Sequence, residues 1–137
     1  MKVKEIMHKK ADVINRDHTV REAAQMMARG DYGCLPVEEN DKMIGMITDR
    51  DITIRLVAKG LDPNNTKVSE CMSSGIDFCY EDDDLEQVGR LMGSNKVRRM
   101  PVINREKRLV GMLSLGDIAN KSRDQELTQN ILSNVSH

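Results

Sequence analysis

The stretch Leu35-Pro36-Val37, followed by Ile44-Gly45-Met46-Ile47-Thr48-Asp49-Arg50-Asp51-Ile52, decides the fold, because it occurs twice. It returns as Met100-Pro101-Val102 and Val110-Gly111-Met112-Leu113-Ser114-Leu115-Gly116-Asp117-Ile118. The first part is displaced by 65 positions and the second by 66, so one residue has been added to the intervening turn. Further out, Val20, Ala23, Ala24 and Met27 return as Leu85, Val88, Gly89 and Met92. Val3-Lys4-Glu5-Ile6-Met7 returns as Val68-Ser69-Glu70-Cys71-Met72. Self-similarity at a fixed period marks a duplicated supersecondary unit. Packing alone accounts for the apolar matches. It accounts less well for the matched polar pairs Thr48/Ser114 and Asp51/Asp117.

Each copy reads as β-α-β-β-α. Short apolar segments at Val13-Ile14 and at Ile76 to Tyr80 open the two units. A helix follows, announced by Thr19-x-x-Glu22 in one copy and Asp84-x-x-Gln87 in the other, side chains that can satisfy free N–H groups at a helix start. Apolar residues at i, i+3, i+4 and i+7 give that helix one buried stripe. Gly30 and Gly93-Ser94-Asn95 are its expected stops. Two strands then form a hairpin: Cys34 to Val37 with Met43 to Thr48, and Met100 to Ile103 with Leu109 to Ser114. Pro36 and Pro101 are expected to begin their strands or lie at an edge, since proline donates no ladder hydrogen bond. A second helix runs from about Asp49 to Lys59 and ends at Gly60, with its counterpart starting near Gly116. The expected organisation is one repeat over 1–61, a linker over 62–67, a second repeat over 68–121, and a polar tail over 122–137. Leu127, Ile131 and Leu132 in the tail hint at a short helix. A unit of this size is marginal alone. The fold class is therefore expected to be α+β, with two repeats packed through their sheets in pseudo-twofold symmetry.

Composition narrows the function. The 137 residues are 39% apolar and 31% charged with net charge -1, which suits a globular chain and offers no cationic field for nucleic acid. No stretch approaches the roughly 20 apolar residues of a membrane span, and the polar start carries no apolar leader. Three cysteines (Cys34, Cys71 and Cys79) without paired spacing argue against a disulfide framework and for a reducing, cytoplasmic setting. Phosphate-loop, dinucleotide and metalloprotease motifs are absent, and His8, His18 and His137 stand alone, reading as surface residues. The chain is therefore expected to be no enzyme and to hold no metal.

Thr48-x-x-Asp51 and Ser114-x-x-Asp117 are the sharpest polar features. Each ends an apolar strand and opens a helix, where free N–H groups favour an anion. An Asp one turn on can accept two hydrogen bonds, as a ribose diol would offer. The same residues also read as simple capping boxes, and the two readings stand level on pattern alone. Lys96-Val97-Arg98-Arg99 adds two arginines that the first copy lacks. An arginine fork suits phosphate, while a solvated balance to Glu81-Asp82-Asp83-Asp84 competes as an explanation.

These residues resemble a tandem pair of cystathionine-β-synthase (CBS) domains, a Bateman module of the small stand-alone bacterial type. The likeness rests on Val3-x-x-Ile6-Met7, Tyr32-Gly33-Cys34-Leu35-Pro36-Val37, Gly45 to Ile52, and their second-copy matches, and spans about residues 1–121. It implies a regulatory module that binds an adenosine-containing ligand (AMP, ADP, ATP or S-adenosylmethionine) in clefts between the repeats. By the resemblance, Asp51 and Asp117 hold ribose hydroxyls with Thr48 and Ser114 beside them. Leu35-Pro36 and Met100-Pro101 flank the base, Arg98 and Arg99 reach phosphate, and Arg50, Met46 and Met112 complete the lining. It further implies a homodimer acting on a separate target protein. Leu115-Gly116 in place of Asp49-Arg50, and Arg98-Arg99 in place of Gly33-Cys34, make the two sites inequivalent. The alternative is a ligand-independent interaction scaffold with vestigial clefts.

Overall fold

A computed structural model describes residues 1–9 and 11–121. The expected tail helix lies outside the described residues. In chain order the elements are β1 (Ile14–Asn15), α1 (Val20–Gly30), β2 (Cys34–Glu39), β3 (Lys42–Thr48), α2 (Asp49–Ile52), α3 (Val68–Cys71), β4 (Cys79–Tyr80), α4 (Leu85–Asn95), β5 (Arg99–Ile103), β6 (Leu109–Ser114) and α5 (Leu115–Lys121). A 3-10 turn over Val3–Glu5 precedes them, and α2 continues as a π-helical turn over Thr53–Val57. The fold is α+β, with two three-stranded sheets ordered β1-β2-β3 and β4-β5-β6. In each sheet the first pairing is parallel and the second is the antiparallel hairpin.

Local chemistry sets the element ends. Thr19 Oγ1 accepts the Glu22 N–H, and the Glu22 carboxylate accepts the Thr19 N–H. Asp84 accepts the Gln87 N–H in the same place of the second copy. The α1 stop differs from expectation. Gly30 is the last helical residue, and the chain turns at Asp31, whose φ is 55°. Gly30 serves instead to admit the Tyr32 ring, since a Cβ there would meet Cε2 at 2.1 Å. Lys96, with φ 55°, ends α4 the same way. The first hairpin closes through Asn40 and Asp41, both at positive φ, as a two-residue turn requires. The second hairpin uses a longer turn with Lys107 at positive φ.

The prolines also correct the reading. Pro36 and Pro101 lie inside β2 and β5, the middle strands of their sheets. The parallel partner is only two residues long and begins opposite Val37 in one sheet and Val102 in the other. At the proline itself the strand therefore has a neighbour on one side alone, which removes the penalty expected of a central proline.

The chain divides into two compact units that do not coincide with the sequence repeats. One unit is Asp12–Ile76 and the other joins Met1–Ala11 to the chain from Asp77 onward. The opening segment of each repeat thus packs with the other repeat's body. Val3, Ile6 and Met7 are buried in one core with Leu85, Val88, Met92, Met100, Leu113 and Ile118. Val68 and Cys71 are buried in the other with Val20, Met27, Leu35, Ile47 and Leu56. Backbone bonds repeat the exchange: Val3 N–H donates to Asp83 at 3.1 Å and Val68 N–H to His18 at 2.7 Å. The expected linker is consequently docked, with Thr66 buried and its hydroxyl donating to the Asp62 carbonyl.

Candidate functional site

Each unit presents its polar feature where the hairpin's second strand runs into a helix. In the unit Asp12–Ile76, the Thr48 hydroxyl accepts the Asp51 N–H at 3.1 Å, and Asp51 Oδ2 accepts the Thr48 N–H at 3.0 Å. In the other unit, Ser114 Oγ accepts the Asp117 N–H and Asp117 Oδ2 accepts the Ser114 N–H, both at 3.0 Å. The capping-box reading is therefore realised at both places. It uses the hydroxyl and one carboxylate oxygen. The second oxygen, Oδ1, is surplus to the cap and gives each aspartate a further valence.

That valence is occupied from an unexpected direction. The Ser73 hydroxyl donates to Asp51 Oδ1 at 3.1 Å, with Arg55 Nε 3.9 Å away. His8 Nε2 lies 3.0 Å from Asp117 Oδ1. The aspartate side chains are only 12% and 8% exposed, whereas the His8 side chain is 70% exposed. Ser73 and His8 were outside the expected site, and His8 read as a plain surface residue. The signal was present: the displacement that aligns Met7 with Met72 aligns His8 with Ser73.

Both residues are held by an added strand-like contact. Ser73 and Met46 exchange two backbone hydrogen bonds, at 2.8 and 2.9 Å, and His8 and Met112 do the same at 2.9 and 3.0 Å. This close approach explains Gly45 and Gly111. A Cβ on Gly45 would meet the Ser73 carbonyl oxygen at 2.6 Å, and one on Gly111 would meet the His8 carbonyl oxygen at 2.6 Å.

The remaining expected residues separate into buried supports and exposed cations. Leu35, Pro36, Met46, Met100 and Pro101 are buried, and Met112 is half-buried. The strand register sets Pro36 opposite Met46 and Pro101 opposite Met112. Arg50, Arg98 and Arg99 are exposed, and among the described residues their guanidinium groups form no ion pair or hydrogen bond. Arg99 lies opposite Ser114 in the strand register, where the first sheet has Cys34 opposite Thr48. The two units also differ in packing at the neighbouring position. A Cβ on Gly33 would meet Asp49 Oδ2 at 2.6 Å. The second unit has Leu115 in place of Asp49, and Leu115 is buried in the core. Arg98 takes the place of Gly33 there, and its carbonyl accepts the Leu115 N–H at 3.1 Å as the Gly33 carbonyl accepts the Asp49 N–H at 2.9 Å.

The cysteines play no comparable part. Cys34, Cys71 and Cys79 form no disulfide. Burial pushes the Cys79 thiol up to about 12, with the Asp83 charge adding to the shift, and burial likewise raises Cys71. Among the described residues, no group of three His, Cys, Asp or Glu side chains could hold a metal ion.

Comparison with known proteins fits this geometry. The CBS domain family matches twice, over residues 3–58 and 68–124. The chain belongs to the CBS domain family. The CBS domain-containing protein YhcV of Bacillus subtilis is 36% identical over 98% of this chain and 95% of its own length. A crystal structure of Hypoxic Response Protein I, which holds two coordinated zinc ions, is 34% identical with a TM-score of 0.79, covering 88% of this chain and 98% of that one. The CBS domain pair of protein MJ0100, in complex with 5′-methylthioadenosine and S-adenosyl-L-methionine, is 26% identical with a TM-score of 0.73. That match covers 88% of this CBS pair and 94% of the other chain. CBS pairs of this kind are regulatory modules. No helix among the described residues is long and apolar enough to cross a membrane.

Proposed function

We propose that this CBS pair is a non-catalytic sensor whose units bind an adenosine-containing ligand: AMP, ADP, ATP or S-adenosylmethionine. The observation that carries the reading is the surplus carboxylate oxygen on Asp51 and Asp117. Each aspartate is oriented by its backbone cap, so Oδ1 is offered in a fixed place beside a hydroxyl. Such a group accepts from a ribose diol when Ser73 or His8 shares or yields the oxygen, without rearranging the backbone. Arg98 and Arg99, whose guanidinium groups are unpaired among the described residues, supply planar donors for phosphate at the Asp117 site, and Arg50 supplies one at the Asp51 site. Leu35-Pro36 and Met100-Pro101 give a rigid apolar backing for the base. The adenosyl ligands held by the similar MJ0100 pair support the same chemistry.

In this reading the protein is cytoplasmic and acts on a separate target protein. It forms a homodimer through helical faces, for which the exposed Ile54 and Val57 are candidates. AMP and S-adenosylmethionine are the first ligands to try. At a hundredfold excess over Kd a ligand adds about 2.7 kcal/mol of stability, a rise of roughly 8 °C in melting temperature. Asp117→Ala is expected to remove the rise due to its site and leave that due to Asp51. No rise with AMP, ADP, ATP or S-adenosylmethionine would discard the sensor reading in favour of the scaffold.

A further inference from the structure

We infer that His8 is a ligand-site residue that makes the Asp117 site responsive to protons while the Asp51 site is not. The inference rests on the ligand reading above and adds a regulatory element to one of its two sites. It begins from an equivalence of position. His8 and Ser73 are related by the repeat, and each is pinned to the adjacent strand by a pair of backbone hydrogen bonds. Both side chains reach the same atom, the Oδ1 of the site aspartate. Because Oδ2 is committed to the cap, a ribose diol must displace or share with whatever holds Oδ1.

The two occupants differ in kind. The serine hydroxyl is neutral at every accessible pH and turns aside by rotating one bond. An imidazole changes charge between about pH 5 and 8. Its protonated form adds a full positive charge to the hydrogen bond with the carboxylate, turning it into an ion pair. The carboxylate at Asp117 is nearly buried and the imidazole is 70% exposed, so solvent reaches the contact from the histidine side.

Nothing else among the described residues competes for the ring. On α5 the facing charge is Asp117, and on β6 the facing residue is the apolar Met112. On its own segment Lys4, Glu5 and Lys9 are the charged neighbours, and Glu5 already accepts the Lys2 N–H. Arg99, opposite Ser114 on β5, forms no ion pair with Asp117. Lowering the pH therefore tightens the His8–Asp117 contact and weakens a diol ligand at this site, while the serine-held site stays level.

The test uses 5′-methylthioadenosine, which carries the diol and no charge in this range, so that attraction to phosphate does not enter. Calorimetric titration of the full chain carrying Asp51→Ala isolates the Asp117 site. Affinity is expected to be at least about threefold weaker at about pH 5.5 than at about pH 8. Adding His8→Ser, which installs the residue the other unit uses, is expected to flatten the profile. In the otherwise native chain, Ser73→His is expected to impose the same loss on the Asp51 site. A profile unchanged by His8→Ser, or flat before it, would overturn the inference and leave the ligand reading standing. Absence of binding by the native chain at both pH values would overturn this inference, whereas the ligand reading falls only if AMP, ADP, ATP and S-adenosylmethionine also fail to raise the melting temperature.

Discussion

The unit formed by Asp12–Ile76 and the unit formed by the two outer segments use one plan with different hardware. The first is built from continuous chain, closes its hairpin with two residues, and holds its site aspartate with a serine. The second recruits the start of the chain, closes its hairpin with a longer turn, and holds its aspartate with a histidine. The first sets a glycine and a cysteine where the second sets two arginines. What is shared is the support: register, caps and the crossing segment over a glycine. What differs is the set of groups that would meet a ligand. A repeat whose scaffold is kept and whose contacts diverge is suited to two ligands, or to one ligand read in two ways.

The largest effect that would break this comparison comes from removing residues 1–9. Val3, Ile6 and Met7 leave the second unit's core, at a cost of roughly 1.5–3 kcal/mol each, and the three together are comparable to a whole domain's stability. Amide exchange is expected to lose protection in β5, β6 and α4 while β2, β3 and α1 keep theirs. Equal loss in both units would show that the division into units has no energetic meaning.

A smaller effect sharpens the role of the crossing segments. Gly45→Val and Gly111→Val push a side chain into the Ser73 and His8 carbonyls respectively, at about 2–3 kcal/mol each by denaturant unfolding. Gly111→Val is expected to cost more, because Met7 Sδ also stands 2.7 Å from the added Cβ. The reverse order would put the tighter crossing in the first unit.

The smallest effect concerns the thiols. Cys34 is half-buried, whereas Cys71 and Cys79 are buried. Alkylation at mildly alkaline pH is expected to modify Cys34 first and to spare Cys79 until the chain unfolds. The raised Cys79 value means that the neutral thiol is favoured in the fold. The associated stability is complete below the ordinary value near 9.0 and is lost as pH climbs toward about 12. Early labelling of Cys79, followed by mass spectrometry, would contradict its burial.

Much of this was legible before any coordinates. The Thr19/Glu22, Thr48/Asp51 and Ser114/Asp117 caps follow from short-range hydrogen-bond chemistry, and the hairpins follow from apolar runs on either side of polar turns. The exchange of opening segments was not legible. Val3, Ile6 and Met7 form an apolar cluster whichever body they join, so local pattern is silent on the choice. Pro36 misled because its neighbour strand is two residues long, a fact set by tertiary pairing. His8 misled because an isolated histidine has no motif, and its partner lies more than a hundred residues away in the chain.

The exchanged segments also impose an order in time. The unit Asp12–Ile76 has every residue it needs once the chain has been made as far as Ile76. The other unit must keep its first strip of sequence waiting, with Val3, Ile6 and Met7 unburied, until β6 and α5 have emerged. During synthesis the segment Val3–Met7 thus precedes the unit Asp12–Ile76 and finds its place after it. Its exposed apolar side chains are the part of the nascent chain that a chaperone would have most reason to cover.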